Sequence, residues 1–313
     1  MHALRKLYEP EFYQGSSRLS QYFEGWYYKV VSAKHAFALI PGVSRSPSDP
    51  HAFIQFIDGI AGVSSYHRFP LSDFSYSTDE FSIAIGENRF SLHEIVVDLG
   101  SVTVDARLSE ATLWRGSGFQ PGTMGWYSFV PFMQCKHGII VMDAAVQGTV
   151  DDQPLEGRFY MEKDYGRSFP NAWIWLQSNS FARNGISVTC SVANVPFVGG
   201  AFTGFLAGLS IAGELLKFTT YTGSRIERID ADETAVDVII CDRRRRLSIH
   251  AEREAGAELR APQLGEMRGR VVETIQSRVE AELFVDSELV FRGTGGSAGL
   301  EVVNPDLLLP RRR

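Results

Sequence analysis

Short apolar runs recur about every ten residues along the chain, and each is rich in Val, Ile, Phe, Tyr or Thr. They fall at 26–31, 53–57, 81–85, 95–99, 102–108, 139–146, 173–177, 186–191, 236–241 and 247–251. Turn residues such as Asp151-Asp152 and Asn184-Gly185 separate them, and these residue types tolerate the positive φ of hairpins. No long segment has an apolar stripe at helical spacing, so the pattern predicts an all-β fold.

The predicted strands divide near the middle of the chain. The turn at 151–154 is the clearest boundary. Segments 23–27 and 161–166 each place an acid and an aromatic residue beside glycine, which indicates a faint internal repeat. We therefore predict two similar domains, residues 1–157 and 158–313.

One uncharged stretch, 195–213, departs from the strand pattern. Its length approaches the roughly 20 residues of a membrane-spanning helix. Its five glycines and one proline make a helix unfavourable, however. The favoured interpretation is a buried strand followed by a glycine-rich loop. An apolar flap over a ligand, or a contact with a membrane surface, remains an alternative.

Composition narrows the function classes. The 313 residues are 44% hydrophobic and 22% charged, which excludes a disordered or fibrous protein. The 31 basic and 37 acidic residues give a net charge of −6, so nucleic-acid binding through a basic field is not expected. The three cysteines (Cys135, Cys190 and Cys241) are too widely spaced for a disulfide framework or a zinc site.

These features, together with the lack of an apolar signal-peptide run in 1–14, favour a cytoplasmic protein. The basic residues at 310–313 are interpreted as a solvated end. The chain contains no G-x-S-x-G motif and no phosphate-binding glycine loop. Its seven histidines are not spaced as metal ligands, so no metal is expected.

The densest chemistry lies at 162–179, EKDYGRSFPNAWIWLQSN. Glu162 and Asp164 share a face of a strand, either as site acids or as ion-pair partners of Lys163 or Arg167. Trp173 and Trp175 also share a face, in a core or a pocket. Trp26 follows glycine at a first strand, where it would either plug a barrel or touch a ligand.

Segment 162–179 resembles the signature E-K-N-W-G-x-x-F-P-x-x-W-x-W-x-Q-x-N of the tocopherol cyclase family. The resemblance extends to GWYYK at 25–29, Pro41-Gly42, Gly125-Trp126 and LRAP at 259–262. Asp164 and Tyr165 depart from the Asn and Trp of the plant enzymes. The chain lacks the plastid transit peptide and is similar to shorter bacterial members.

The resemblance, taken with the strand pattern, implies two lipocalin-like antiparallel β-barrel or curled-sheet halves packed together, with a ligand cavity at the mouth of one half near their junction. It implies cyclisation of a phytyl- or geranylgeranyl-hydroquinone to a chromanol. A buried, protonated carboxyl group would protonate the first double bond of the tail. Aromatic faces would stabilise the cation. The reaction is a net isomerisation and needs no cofactor.

On this hypothesis Glu162 or Asp164 donates the proton, with Glu24 as a second candidate. His51 or His137 accepts the phenol proton, and Gln177 or Asn179 orients the quinol hydroxyls. The expected substrate-binding residues are Trp26, Tyr27, Trp126, Tyr165, Trp173, Trp175, Gln177 and Asn179.

Two other functions remain open. A non-catalytic carrier of lipids or isoprenoids would use the same pocket, and so would an acid-catalysed cyclase or hydratase of another terpenoid. In each case the partner is a small hydrophobic ligand, a prenylquinol or other isoprenoid. Segment 195–213 is the candidate for peripheral membrane contact.

Overall fold

The computed structural model describes residues 2–15, 20–116, 118, 120–129, 133–197 and 200–308. Within these ranges strands dominate. The α-helix α1 spans His2–Tyr8, and short 3-10 helices lie at Leu71–Asp73, Gly125–Phe129, Thr220–Thr222 and Pro305–Leu307. The all-β prediction is confirmed. The basic residues 310–313 lie outside the described residues.

The first sheet contains eleven antiparallel strands in the order β4-β3-β2-β1-β11-β10-β9-β8-β7-β6-β5. Their bounds are β1 Phe23–Ser32, β2 Ala36–Ser44, β3 His51–Asp58, β4 Val63–Phe69, β5 Phe74–Tyr76, β6 Ser82–Ile85, β7 Asn88–Ser91, β8 Glu94–Asp98, β9 Thr103–Leu113, β10 Cys135–Val150 and β11 Gln153–Gly166. Ile54 on β3 and Ile83 on β6 belong to one buried cluster although they lie near opposite edges. The sheet therefore curls around its core.

The second sheet has the order β16-β15-β14-β12-β22-β21-β19-β18-β17, with β13 beside β22 and β20 beside β21. Its strands are β12 Trp173–Ser178, β13 Ser180–Phe181, β14 Ile186–Phe197, β15 Gly200–Ile211, β16 Glu214–Thr219, β17 Arg225–Ala231, β18 Ala235–Cys241, β19 Arg245–Glu252, β20 Ala257–Gln263, β21 Glu266–Val285 and β22 Glu288–Val303. Phe218 and Ile229, on opposite edge strands, share its buried cluster. This sheet is curled as well, as predicted.

Contacts divide the chain into two compact units. The first holds residues 1–130, 134–169 and 259–270, and the second holds 131–133, 170–258 and 271–313. The limit predicted between residues 157 and 158 falls inside β11. The division into domains 1–157 and 158–313 stays a prediction.

Two local expectations have different outcomes. Asp151 and Asp152, with φ of 49° and 59°, form the expected hairpin turn between β10 and β11. The glycine-rich part of 195–213 is a strand and not the expected loop, since β15 pairs with β14 from Ile211 to Gly200. Residues 198 and 199 lie outside the described residues. Among the described residues, no helix has the length and apolar character needed to cross a membrane.

Candidate active site

Strand β11 presents different chemistry on its two faces. Side chains alternate along a strand, so Glu162 and Asp164 project from one face and Lys163 and Tyr165 from the other. Lys163 is paired in register with Trp26, which belongs to the first core cluster. We call that side the core face and the side of Glu162 the opposite face.

The opposite face brings three predicted residues together as an acid–imidazole cluster of Glu162, His137 and Asp164. His137 Nδ1 lies 3.1 Å from Asp164 Oδ1, and its Nε2 lies 3.7 Å from Glu162 Oε2. The Glu162 side chain is 6% exposed, against 26% for Asp164. One imidazole therefore lies between a buried and a half-buried carboxyl group.

Strand pairing assembles this cluster. On β10, His137 is directly opposite Asp164, and Ile139 is directly opposite Glu162. Directly opposed residues project from the same face with their Cβ atoms close together. The hydroxyl of Tyr160, two residues before Glu162, donates a hydrogen bond of 2.5 Å to Glu162 Oε2. Alternation along β11 could have placed Tyr160 in the site, but the sequence analysis missed it.

Cys135 is a second neighbour that the sequence analysis missed. Its thiol donates to Asp164 Oδ1 at 3.5 Å. Burial and the negative charge of Asp164 raise the pKa of this thiol well above its usual value. The side chain therefore stays protonated at neutral pH and acts as a weak donor.

The cluster has the donor set of a metal site as well as that of a proton relay. One ligand atom each from His137, Glu162 and Asp164 lie within 4.8 Å of one another. Imidazole and carboxylate ligands suit several divalent cations. The ligands come from two paired strands, so sequence spacing could not reveal them. The absence of a metal stays a prediction.

Glycines of the GWYYK and Pro41-Gly42 motifs shape the adjacent surface. Register aligns Phe53, Gly42, Gly25 and Asp164 across four strands. A Cβ at Gly42 would lie 2.5 Å from the Phe53 ring, and one at Gly25 would lie 3.9 Å from it. Gly42 thus lets an aromatic ring lie close over the strands beside Asp164, whereas a Cβ at Gly25 would make only ordinary contact with it. Tyr66 stacks on Phe53 at a centroid distance of 5.2 Å.

His51, the other predicted base, has its own partners, Tyr66 on β4 and Asp49 just before β3. Its Nε2 lies 2.6 Å from the Tyr66 hydroxyl, and its Nδ1 lies 2.8 Å from the Asp49 carbonyl oxygen. Burial lowers its pKa, which favours neutral imidazole. A role for His51 in catalysis stays a prediction.

The LRAP motif at 259–262 lies in the first unit, where Gln55 binds its backbone. The Gln55 amide donates to the Arg260 carbonyl oxygen at 3.1 Å and accepts from the Arg260 backbone N–H at 2.9 Å. The Arg260 guanidinium lies 4.3 Å from the centroid of the Tyr66 ring. The motif therefore covers the aromatic side chains near His51.

The core face carries a buried ion pair. Lys163 Nζ lies 2.5 Å from Glu24 Oε1, and both side chains are fully buried. The ammonium also donates to the carbonyl oxygens of Pro10 and Phe12, each at 2.6 Å, and lies 4.9 Å from the Trp26 ring. Burial lowers the pKa of Lys163, while the charge of Glu24 opposes that shift.

Glu24 has the surroundings of a carboxylate. It accepts hydrogen bonds from the Tyr22 hydroxyl at 2.5 Å and from the backbone N–H groups of Gln14 and Gly15 at 2.9 and 3.0 Å. Such donors suit the ionised form, whereas a proton donor must be neutral. Glu24 therefore differs chemically from Glu162, although both are buried.

The predicted aromatic residues are dispersed. Tyr27 is directly opposite Glu162 on the opposite face. Trp26 and Tyr165 lie on the core face, where the Trp26 indole donates to the Glu11 carbonyl oxygen at 2.7 Å. Trp126 is 48% exposed and stacks on its neighbour in the 3-10 helix Gly125–Phe129.

Trp173, Trp175, Gln177 and Asn179 belong to the second unit. The first three share the face of β12 that points away from the core residues Ile174 and Leu176, as alternation predicts. The Trp173 indole donates to Glu301 at 2.6 Å. Their part in substrate binding stays a prediction.

The ion pairs expected for Glu162 and Asp164 are not those observed. Lys163 pairs with Glu24 on the other face of β11, and Arg167 donates to the Gln21 side chain. The alternative of an ion pair with Lys163 fails because adjacent residues of a strand point in opposite directions. An imidazole, not an ammonium or guanidinium, lies between the two acids.

The fold and this cluster define a protein of two curled antiparallel sheets with a carboxyl–imidazole site on a buried sheet face. A family profile described as tocopherol cyclase-like matches residues 110–303. The chain belongs to the tocopherol cyclase-like family. No curated protein matches it by sequence.

Solved structures that resemble this chain are distant from it in sequence. The structure of CghA aligns with a TM-score of 0.61 and 11% identity over 95% of this chain and 92% of that chain. CghA with Sch210972 aligns at 0.58 and 11% over 90% and 88%. Kievitone hydratase from Nectria haematococca aligns at 0.47 and 12% over 97% and 95%.

Proposed function

We propose that the protein catalyses acid-initiated ring closure of a prenylated hydroquinone, with Glu162 as the proton donor. Membership of the tocopherol cyclase-like family supports this class of reaction. The observation that carries the assignment is the position of His137 between Asp164 and Glu162. This arrangement can deliver a proton to an alkene and recover one from a phenol.

Glu162 begins the reaction in its neutral form and transfers its proton to the first double bond of the tail. The product is a tertiary cation, and negative charge develops on the carboxylate. The Tyr160 hydroxyl already donates to Oε2, so it stabilises that charge without reorganisation. Burial keeps the competing water away from the cation.

The phenol oxygen then bonds to the cation and loses its proton to His137. Asp164 accepts from Nδ1–H, which leaves Nε2 as the basic nitrogen on the side of Glu162. Transfer from His137 back to Glu162 restores both groups. One proton enters and one leaves, so the product is an isomer of the substrate. With water as the nucleophile, the same residues would hydrate the alkene.

The test is anaerobic incubation with phytyl-benzoquinol in the presence of EDTA, followed by chromatography and mass spectrometry. We expect chromanol from the wild type and a loss of at least about 10²-fold in Glu162→Gln. The matched control is Glu156→Gln, an exposed acid on the same strand, which should keep full turnover. EDTA removes any metal ion held by the cluster, so turnover in its presence does not depend on one.

Equal chromanol formation by wild type and Glu162→Gln would refute the assignment of the donor. Bound quinol without product would support the carrier function instead. A product heavier by one water would identify a hydratase.

A further inference from the structure

A cavity of about 280 Å³ lies within the first unit, beside the N-terminal segment. It is bounded by α1 and the segment after it, by residues 122–128 and by β10 and β11. Its lining includes Lys6, Met124, Ser128, Lys136, Tyr165 and the cluster residue His137. Its volume is close to the lower end of small-molecule sites, about 300 Å³.

The walls of the cavity are fixed by specific contacts. The Thr123 hydroxyl donates to the Ile139 carbonyl oxygen at 2.8 Å, which ties the 122–128 segment to β10. Gly122 has φ of +56°, and a Cβ there would lie 3.2 Å from the Leu7 carbonyl oxygen. The close approach of α1 to this segment thus depends on glycine.

Lys136 supplies a half-buried positive charge to the cavity. Its ammonium donates to the Ser128 carbonyl oxygen at 2.9 Å. An ammonium has three hydrogens to donate, and this bond uses one.

The surrounding acids are committed to other bases. These pairs are Glu9 with Arg5, Glu11 with Arg115, and Glu24 with Lys163. Among the residues that the structure describes, neither Lys6 nor Lys136 has an ion-pair partner. The cavity lining contains both lysines and no carboxylate. The lining itself therefore carries positive charge, and the acids Glu162 and Asp164 lie against His137 at one side of it.

The remaining lining is apolar or aromatic. Pro10, Met124 and Tyr165 contribute carbon surface beside the lysines. The 3-10 helix that contains Ser128 also carries two exposed rings, Trp126 and Phe129. Apolar and aromatic lining with a few polar groups is typical of small-molecule sites.

We propose that this cavity is a second binding site, which takes a small organic anion with a carboxylate or phosphate on an aromatic body. Lys136 binds the anionic group and Lys6 adds a second positive charge. The aromatic body packs on Met124 and Tyr165. His137 lines this cavity and also belongs to the acid–imidazole cluster, so the two sites adjoin. The test below measures binding and does not depend on turnover.

The test uses protein labelled with ¹³C at the methionine methyl groups, titrated with benzoate and with phenyl phosphate. The Met124 resonance is assigned with Met124→Leu, and Met267, which does not line the cavity, serves as a reference. We expect the Met124 signal alone to shift on saturation. In Lys136→Gln the affinity for either anion should fall about tenfold, equivalent to about 1.4 kcal/mol. The decrease in Lys6→Gln should be smaller.

Lys136→Arg should retain binding, and so should Lys34→Gln, which alters an exposed lysine elsewhere. Benzyl alcohol should not bind, and inorganic phosphate should bind more weakly than phenyl phosphate. The proposal is overturned if neither aromatic anion shifts Met124. It is also overturned if Lys136→Gln binds as well as the wild type while its unliganded spectrum is unchanged. Lys6→Gln keeps the test valid if Lys136→Gln does not fold.

Discussion

The two faces of β11 use buried carboxyl groups in different ways. On the core face, Glu24 is surrounded by an ammonium, a phenol and two backbone N–H groups. On the opposite face, Glu162 contacts a phenol and an imidazole, which can both give and take protons. Burial alone therefore does not identify a catalytic acid. The partners decide whether a buried carboxyl group stabilises the fold or exchanges protons.

The largest expected effect is the loss of the buried cation on the core face. Lys163→Met leaves Glu24 buried without its ammonium partner. Removing one member of a buried pair costs about 3–5 kcal/mol. We expect a decrease of that size in the free energy of unfolding, measured by urea denaturation with tryptophan fluorescence.

Two controls sharpen this prediction. The double variant Lys163→Met/Glu24→Leu should recover part of the loss, because no unpaired charge remains. Arg244→Met breaks a surface pair whose side chains are 72% and 54% exposed, and it should leave the urea midpoint nearly unchanged because water and salt screen that pair. Equal costs for Lys163→Met and Arg244→Met would contradict the comparison of the two faces.

The second prediction concerns the phenols near Glu24. Burial raises the pKa of Tyr13 from 10.0 to about 12, and burial with the charge of Glu24 raises that of Tyr22 and Tyr165. A raised pKa favours the folded state below pH 10, and this stability is lost as the pH rises through 12. We expect the free energy of unfolding to fall steadily between pH 10 and pH 12.

In Tyr13→Phe the free energy of unfolding should fall less steeply with pH. One titrating group contributes at most about 1.4 kcal/mol to that fall for each pH unit. Slopes are compared, not absolute stabilities, because Tyr13→Phe also loses the bond donated by Arg45. Identical slopes in the two proteins would show that Tyr13 does not titrate as proposed.

The smallest expected effect is at Asp164, where the family signature has Asn. An amide oxygen in Asp164→Asn can still accept from His137 Nδ1–H, so the ring keeps its orientation. Charged acceptors are stronger than neutral ones by about 1 kcal/mol, which predicts roughly a fivefold decrease in kcat. The pH profile should move to lower pH, because the imidazolium loses a stabilising negative charge.

An unchanged pH profile with lower stability would indicate a purely structural role for Asp164. A loss as large as that of Glu162→Gln would instead make Asp164 a candidate for the donor.

Local features of the fold could be predicted from the sequence. The period-2 alternation and the Asp151-Asp152 turn correctly indicated strands and a hairpin, since both depend on neighbouring residues. The stretch Gly200–Ile211 was mistaken for a loop because its glycines have low strand propensity. Pairing with β14 outweighs that propensity.

The site could be predicted only in part, because several of its contacts join residues that are far apart in the sequence. Alternation placed Glu162 and Asp164 on one face, and the cyclisation hypothesis named His137, with His51, as a possible base. The pairing of Lys163 with Glu24 depends on strands more than a hundred residues apart, and no local pattern reports it. The cavity beside Lys136 depends on three separate segments and was missed for the same reason.

The bonds from Lys163 to the carbonyl oxygens of Pro10 and Phe12 have a consequence for the order of folding. These residues are synthesised early, but their partner follows 153 and 151 residues later. The N-terminal segment therefore cannot reach its final position until β11 has left the ribosome and paired with β1. Its docking therefore follows the pairing of β1 with β11, and it completes the wall of the cavity beside Lys136.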